Sequence, residues 1–181
     1  MKKSILLAML IGGVFAATAQ TTQTKLNVIL NPLQSIAVND ASKEVTLEYK
    51  TTNDYLTGVS SPVLIDHLKV YSTGGFQVSA KAADLTNGLN TAPGQNVKIL
   101  SSGISLLIAK GTGNNGSDIN PSTVNLGTGD VNLFSSTTGG VSMGYNVTYK
   151  GAGNNEYVGK HFSGTGKTTY TTNVMYSIVA Q

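Results

Sequence analysis

The chain has 181 residues, with 12 lysines and no arginine, 9 acidic residues, 2 histidines and no cysteine. Without cysteine there is no disulfide framework, no thiolate metal site and no acylated lipoprotein anchor, so stability has to come from burial and backbone hydrogen bonding. The formal charge of +3 is small, and the missing arginine is the residue best suited to bidentate phosphate and guanine contacts, which argues against a nucleic-acid partner.

The first segment reads as an export signal. Lys2 and Lys3 form a positive start, residues 5–15 an apolar run, and Ala17-Thr18-Ala19 a small-x-small cleavage pattern. This predicts a signal peptide over 1–19 and one domain over 20–181 that begins at Gln20. The apolar run falls short of the ~20 residues of a spanning helix, and Thr and Gln follow it, so no membrane span is expected. Removing 19 of 181 residues leaves 162, one domain's worth, able to bury about two thirds of its unfolded surface. Two lysines leave with the leader, so the remaining charge is +1.

Strand signals follow in order. Val45, Leu47 and Tyr49 alternate with Thr46, Glu48 and Lys50, as in a half-buried strand. An extended run at 68–71 leads through Ser72-Thr73-Gly74-Gly75 to Phe76, Val78 and Ala80, which alternate with Gln77, Ser79 and Lys81. Residues 104–109 are apolar on both faces, which suits a central strand. Runs at 124–126 and 131–133 flank Gly127-Thr128-Gly129-Asp130. Both turns read as hairpin loops with antiparallel neighbours. Ser136-Thr137-Thr138-Gly139-Gly140 resembles the 72–75 string; the flanking residues differ, which favours shared turn chemistry over an internal repeat. Val141, Met143, Tyr145, Val147 and Tyr149 then share one face, and Tyr170, Thr172, Val174, Tyr176 and Ile178 another. About eight to ten strands at sandwich spacing predict an all-β, antiparallel immunoglobulin-like or pilin-like β-sandwich, with no helical layer because no 3.6-residue period appears.

Several strings imitate catalytic motifs. Gly140-Val141-Ser142-Met143-Gly144 matches a nucleophile elbow, but Ser142 starts a strand where the elbow needs a turn into a helix. Gly111-Thr112-Gly113-Asn114-Asn115-Gly116 matches a dinucleotide fingerprint, but a polar loop closed by Pro121 follows it instead of a helix N-terminus. Gly151-Ala152-Gly153-Asn154-Asn155 repeats the GxGNN string as a turn. Gly166-Lys167-Thr168 resembles the end of a phosphate loop whose first glycine position holds His161. Glu44 and Glu48 on one strand would stand about 13 Å apart, too far for glycoside hydrolysis. Asp66 and His67 point to opposite faces of an extended segment, and His67 and His161 read as surface or hydrogen-bonded histidines. Asn114, Asn115, Asp118 and Asn120 lack the spacing of a calcium loop. Neither cofactor nor metal is expected.

The mature chain resembles a group of small secreted proteins of flavobacteria and related Bacteroidetes. The likeness rests on the short signal with Gln20 at the cut, the opening Leu26-Asn27-Val28-Ile29-Leu30-Asn31-Pro32-Leu33-Gln34, the central Asp66-His67-Leu68-Lys69-Val70-Tyr71-Ser72-Thr73-Gly74-Gly75-Phe76 and the closing Tyr170-Thr171-Thr172-Asn173-Val174-Met175-Tyr176-Ser177-Ile178-Val179-Ala180. In outline it is similar to pilin-like surface sandwiches, including spore-coat-U and WxL-type domains. Such chains sometimes carry a LysM peptidoglycan-binding label; the βααβ unit and Gly-Asp-Thr-type signature of that module are not visible here.

Two roles follow. The first is a non-enzymatic structural protein of the cell surface or extracellular space that assembles with itself or other envelope proteins by strand addition, since the mature chain opens and closes on alternating strands. The second is a module that binds envelope glycan, peptidoglycan or another polysaccharide, with Tyr55 and Tyr157 in Gly-adjacent loops as the contact residues. The absence of tryptophan weighs against the second. Either role implies an exported protein, in the periplasm, on the surface or outside the cell. Intact-mass measurement of exported protein should give a chain that starts at Gln20; a mass retaining Met1 would overturn the cleavage reading.

Overall fold

Ten strands and one short helix form among the residues that the computed structural model describes, 20–88, 98–114, 122–161 and 166–181. The expected signal peptide lies outside them. In chain order the strands are β1 (Gln34–Val38), β2 (Leu64–Ser72), β3 (Phe76–Ala82), β4 (Leu85–Thr86), β5 (Lys98–Ile99), β6 (Ile104–Lys110), β7 (Ser122–Asn125), β8 (Val131–Ser136), β9 (Gly140–Gly151) and β10 (Val174–Ala180). Five of them make one sheet in the order β1-β2-β9-β6-β7, three make a second in the order β10-β3-β8, and β4 and β5 pair alone. Every pairing is antiparallel. The two larger sheets pack face to face, so the fold is the expected all-β sandwich.

Asn31–Gln181 form one compact unit. Its core is the inward half of each alternating strand: Leu68 and Val70, Phe76, Val78 and Ala80, Leu106 and Ile108, Tyr145 and Val147 are all buried. Phe134 stacks on Tyr145 at 4.2 Å between ring centroids, joining the sheets. Each buried Val, Leu, Ile or Phe side chain among them contributes about 1.5–3 kcal/mol by leaving water. β6 is interior, as expected, but its outer residue Leu107 is 42 % exposed, because a two-layer sandwich covers one face of each sheet only.

The expected hairpins are corners instead. The 72–75 turn joins β2 of the five-stranded sheet to β3 of the three-stranded one, and the turns at 127–130 and 136–140 likewise carry the chain across the sandwich. Ser72 and Ser136 explain why two of these corners look alike. Both side chains are buried, and each hydroxyl donates to the carbonyl two residues on, Gly74 and Thr138, at 2.8 Å. The corners also pack on each other: a Cβ on Gly139 would collide with the carbonyl oxygen of Ser72. Shared turn chemistry therefore accounts for the similar strings.

Two irregularities reset the period-two pattern. Ser142 has φ +53°, and the β2–β9 register shifts between Val70 and Ser72, a bulge that turns Val141 out to 71 % exposure while Met143, Tyr145, Val147 and Tyr149 stay buried. Val141 does not share their face as expected. Asp66, at φ +49°, does the same in β2, so that His67 and Leu68 are both buried.

A helix the period analysis missed, α1 (Thr52–Thr57), is one and a half turns long and thus too short to show a period. Thr51 and Asp54 form a capping box at its start and Gly58, at φ +81°, ends it. The expected strand at 45–50 keeps its alternation, with Val45 and Leu47 packed against the core, but belongs to no sheet. The Ser142 bulge makes a sharp forecast: Val141→Lys should change stability by no more than about 0.5 kcal/mol, whereas Met143→Lys should cost about 3–5 kcal/mol by burying an unpaired charge. Equal denaturant midpoints for the two variants would refute the bulged register.

Candidate functional site

Residues 43–49 have the side-chain pattern of a strand and none of its bonds. Among the described residues they make no backbone–backbone hydrogen bond, although a β-like segment carries one donor and one acceptor per residue. Facing them, residues 166–173 run into β10 outside any ladder, except that Thr171 exchanges two bonds with Thr86, at 3.1 and 2.9 Å. β10 itself is an edge strand, bonded only to β3. Between these two lips opens a cleft of about 1110 Å³ whose lining includes Val45, Leu47, Leu85, Ile104, Leu126 and Val174. The cleft is thus an uncovered part of the sandwich interior.

An ion pair crosses its mouth. Lys167 Nζ meets Glu48 Oε1 at 2.5 Å, and Lys50 Nζ meets Oε2 at 2.8 Å. The bond from Lys167, then that from Lys50, holds the Glu48 carboxyl down at about 2. Both lysines are largely exposed, so the clasp positions the lips while contributing little net stability.

At the floor a chain of polar groups runs through the apolar lining. Ser42 Oγ lies 2.8 Å from His67 Nδ1, His67 Nε2 3.0 Å from Tyr149 Oη, and Tyr149 Oη 2.5 Å from Tyr176 Oη. Burial lowers the His67 pKa and raises those of Tyr149 and Tyr176, so all three are neutral near pH 7. A serine beside a histidine is the start of a nucleophilic dyad, but the far nitrogen of His67 meets a neutral phenol where a carboxylate would be needed to stabilise the imidazolium. The depressed pKa also makes His67 a weak base. The arrangement satisfies buried polar groups in the core.

The two tyrosines expected to contact glycan meet at one end of the cleft. Tyr55 lies 5.3 Å and Tyr157 5.2 Å from Tyr49 between ring centroids, tilted and edge-on respectively. Tyr157 is only 8 % exposed, its hydroxyl donating to Gly103 O at 3.0 Å, and Tyr49 donates to Ala152 O at 2.7 Å. The cluster braces the loops around α1 and leaves no flat ring open to solvent at Tyr157.

The other singled-out residues fall elsewhere in the fold or outside the described residues. The Asp66 carboxylate accepts from the backbone and hydroxyl of Thr112, and Cβ atoms on Gly111 or Gly144 would strike it; Gly111 of the fingerprint string thus makes room for a carboxylate. Ser142 is exposed on the bulge, apart from the Ser42–His67 pair. The Asn114 amide donates to Gly144 O at 3.0 Å, while Asn115, Asp118 and Asn120 lie outside the described residues. Asn154 and Asn155 both have positive φ and donate their amides to Leu56 O and Tyr55 O, a turn packed on α1. His161 is exposed and bonds Gly166 O. No group of three or more acidic, histidine or cysteine residues that could hold a metal occurs among the described residues. Sequence reasoning missed Ser42 and its chain through Tyr149 to Tyr176, whose successive partners sit 25, 82 and 27 positions apart, and Tyr49, whose hydroxyl partner Ala152 is 103 positions away.

No protein-family model matches the chain, and no curated protein matches it. The cleft is therefore interpreted from its own residues.

The buried histidine gives a pH signature. Its folded pKa lies below the ordinary 6.5, so between the two values the unfolded chain holds a proton that the folded chain lacks. Stability is complete above about pH 6.5 and is lost as pH falls through the lowered folded value. The thermal midpoint should drop on acidification from about pH 7.5 to 5, and His67→Gln should flatten that slope; an unchanged slope in the variant would assign the titration to another group.

Proposed function

We propose that the chain is an exported, non-enzymatic structural protein of the cell surface or extracellular space, which assembles by accepting an added β-strand. The observation that carries this is the cleft itself: an apolar interior left open between residues 43–49, whose backbone makes no backbone–backbone hydrogen bond among the described residues, and residues 166–173 that lead into β10. An extended peptide there would satisfy backbone groups along both lips and cover the lining with every second side chain, which is how strand addition combines affinity with specificity. The resemblance to pilin-like surface sandwiches agrees with this reading. So does a solvent face rich in threonine, serine and asparagine, suited to a coat or matrix.

The glycan-binding reading has less support. Sugar platforms use flat aromatic faces open to water, whereas Tyr49 and Tyr157 are set edge-on and tied by their hydroxyls to backbone carbonyls. Catalysis is likewise disfavoured by the phenol-backed, weakly basic His67.

Gel analysis of the purified exported protein in detergent, with and without prior heating, tests the assignment. A ladder of multimers that collapses to one band on heating is expected, because inserted strands dissociate only when the acceptor unfolds. A strict monomer across a hundredfold range of concentration would overturn the structural reading.

A further inference from the structure

We propose that the side of the sandwich formed by β1 and β10 docks edge to edge with the same side of a second copy of this chain. A two-fold axis through Ile36 and Ile178 then continues both sheets into the partner. This surface lies beyond the strand-addition reading and uses neither lip of the cleft.

Backbone bonding identifies the groups that stand free. Thr73 N donates to Leu33 O and Asn39 N to His67 O, both in the register that pairs Gln34 with Ser72, so the odd residues of β1 bond to β2. Successive residues of a strand direct their N–H and C=O to opposite sides. Gln34, Ile36 and Val38 therefore aim theirs out of the sheet edge. Gln181 N donates to Gly75 O, in the register of the β10–β3 ladder, which leaves the backbone groups of Val174, Tyr176, Ile178 and Ala180 facing outward in the same way. Neither strand has a second ladder partner among the described residues.

Proteins guard such edges with charges, prolines or bulges. Residues 34–38 and 174–181 hold no charged side chain and no proline, and both ladders run without a register shift. The edge of β8 is different, since the Ser122 hydroxyl of β7 reaches Leu133 O at 3.5 Å and the β3–β8 register shifts. Cover is also incomplete on the β1–β10 side. Ile36, Val38, Val174, Tyr176 and Ile178 are only partly buried, whereas Leu68, Val70, Val78 and Ala80 on the adjoining strands are closed off from water.

Strand direction selects the partner. β1 begins and β10 ends at the 72–75 corner, where Gln34 meets Ser72 and Ala180 meets Phe76, while Val38 and Val174 lie at the cleft. The two edges thus run in opposite directions, in sheets about 10 Å apart. A single foreign strand can pair with one of them only. A second copy turned about an axis normal to the sheets presents both at once, each antiparallel to itself, as a self-complementary interface requires. Ile36 and Ile178 each stand two residues in from that corner, so one axis serves both. A strip about 20 Å long and 10 Å deep is small for a permanent interface, and the dimer should dissociate on dilution.

The chain has no cysteine, so introduced thiols report single contacts. In this dimer Ser35 lies directly opposite Ala37 of the second copy, and Ser177 opposite Val179; all four side chains are exposed. Directly opposed positions stand about 4.5 Å apart between Cα atoms, within disulfide reach, whereas a position and its own copy stand about 8 Å apart, beyond it. The exported chain is oxidised as Ser35→Cys mixed with Ala37→Cys, as Ser177→Cys mixed with Val179→Cys, and as each variant alone. Both mixtures should cross-link at least tenfold faster than any single variant. A further variant, Gln34→Pro with Ala180→Pro, removes two outward N–H groups and no bond inside the chain. It should keep the native β-signal and sediment as a monomer at concentrations where the natural chain dimerises. Equal rates in mixtures and single variants would overturn the dimer, and cross-linking of one mixture only would overturn the shared axis. A dimer that survives both prolines would also overturn it. A heat-sensitive ladder retained by the double-proline variant would leave strand addition standing while confirming that the edge dimer is separate; cross-linking of both mixtures without any ladder would remove strand addition alone.

Discussion

An inequality between two sheets governs this molecule. Five strands lie on one side and three on the other, so the smaller sheet cannot cover the apolar face of the larger. The uncovered part falls to residues 43–50, which contribute side chains to the core without joining a sheet. Burial and backbone hydrogen bonding, which usually act together in a sandwich, are separated at this one place. The side chains of Val45 and Leu47 are packed, while the backbone that carries them makes no backbone–backbone hydrogen bond among the described residues. With no disulfide to hold such a segment, the ion pair from Glu48 to Lys167 and the Tyr49–Ala152 bond do the positioning.

Much of the fold was legible because alternation reports which face of a strand meets the core. At β10 and the adjoining residues the inward set Tyr170, Thr172, Val174, Tyr176 and Ile178 is the half-buried set throughout, as read from the sequence. Alternation does not report edges, and so the segment at 45–50 carries a strand's pattern although no described strand pairs with it. Nor does turn composition report which sheet comes next: Ser-Thr-Gly-Gly serves a hairpin and a corner equally, and the decision lies in the buried Ser72 hydroxyl and in the room Gly139 leaves for it. A single residue in a left-handed conformation, Ser142, displaced Val141 from the face its spacing predicts.

The site was less legible than the fold. Tyr55 and Tyr157 were singled out for loop position, and they do converge, but through Tyr49, whose alternating context reads simply as core. The Ser42–His67–Tyr149–Tyr176 chain joins a 3₁₀ turn (Asp40–Ser42) with β2, β9 and β10, four segments that only the completed sandwich brings together. Local motifs drew attention elsewhere, to glycines whose task is close approach to Asp66.

The clasp at the cleft mouth and the lining behind it answer to dissolved salt in opposite ways. Lys167, Lys50 and Glu48 meet directly but on the exposed surface, so added ions weaken their attraction. Excluded salts such as sulfate instead raise the tendency of apolar surface to leave water. A sulfate-rich medium therefore slackens the lips while it sharpens the demand of the interior for cover.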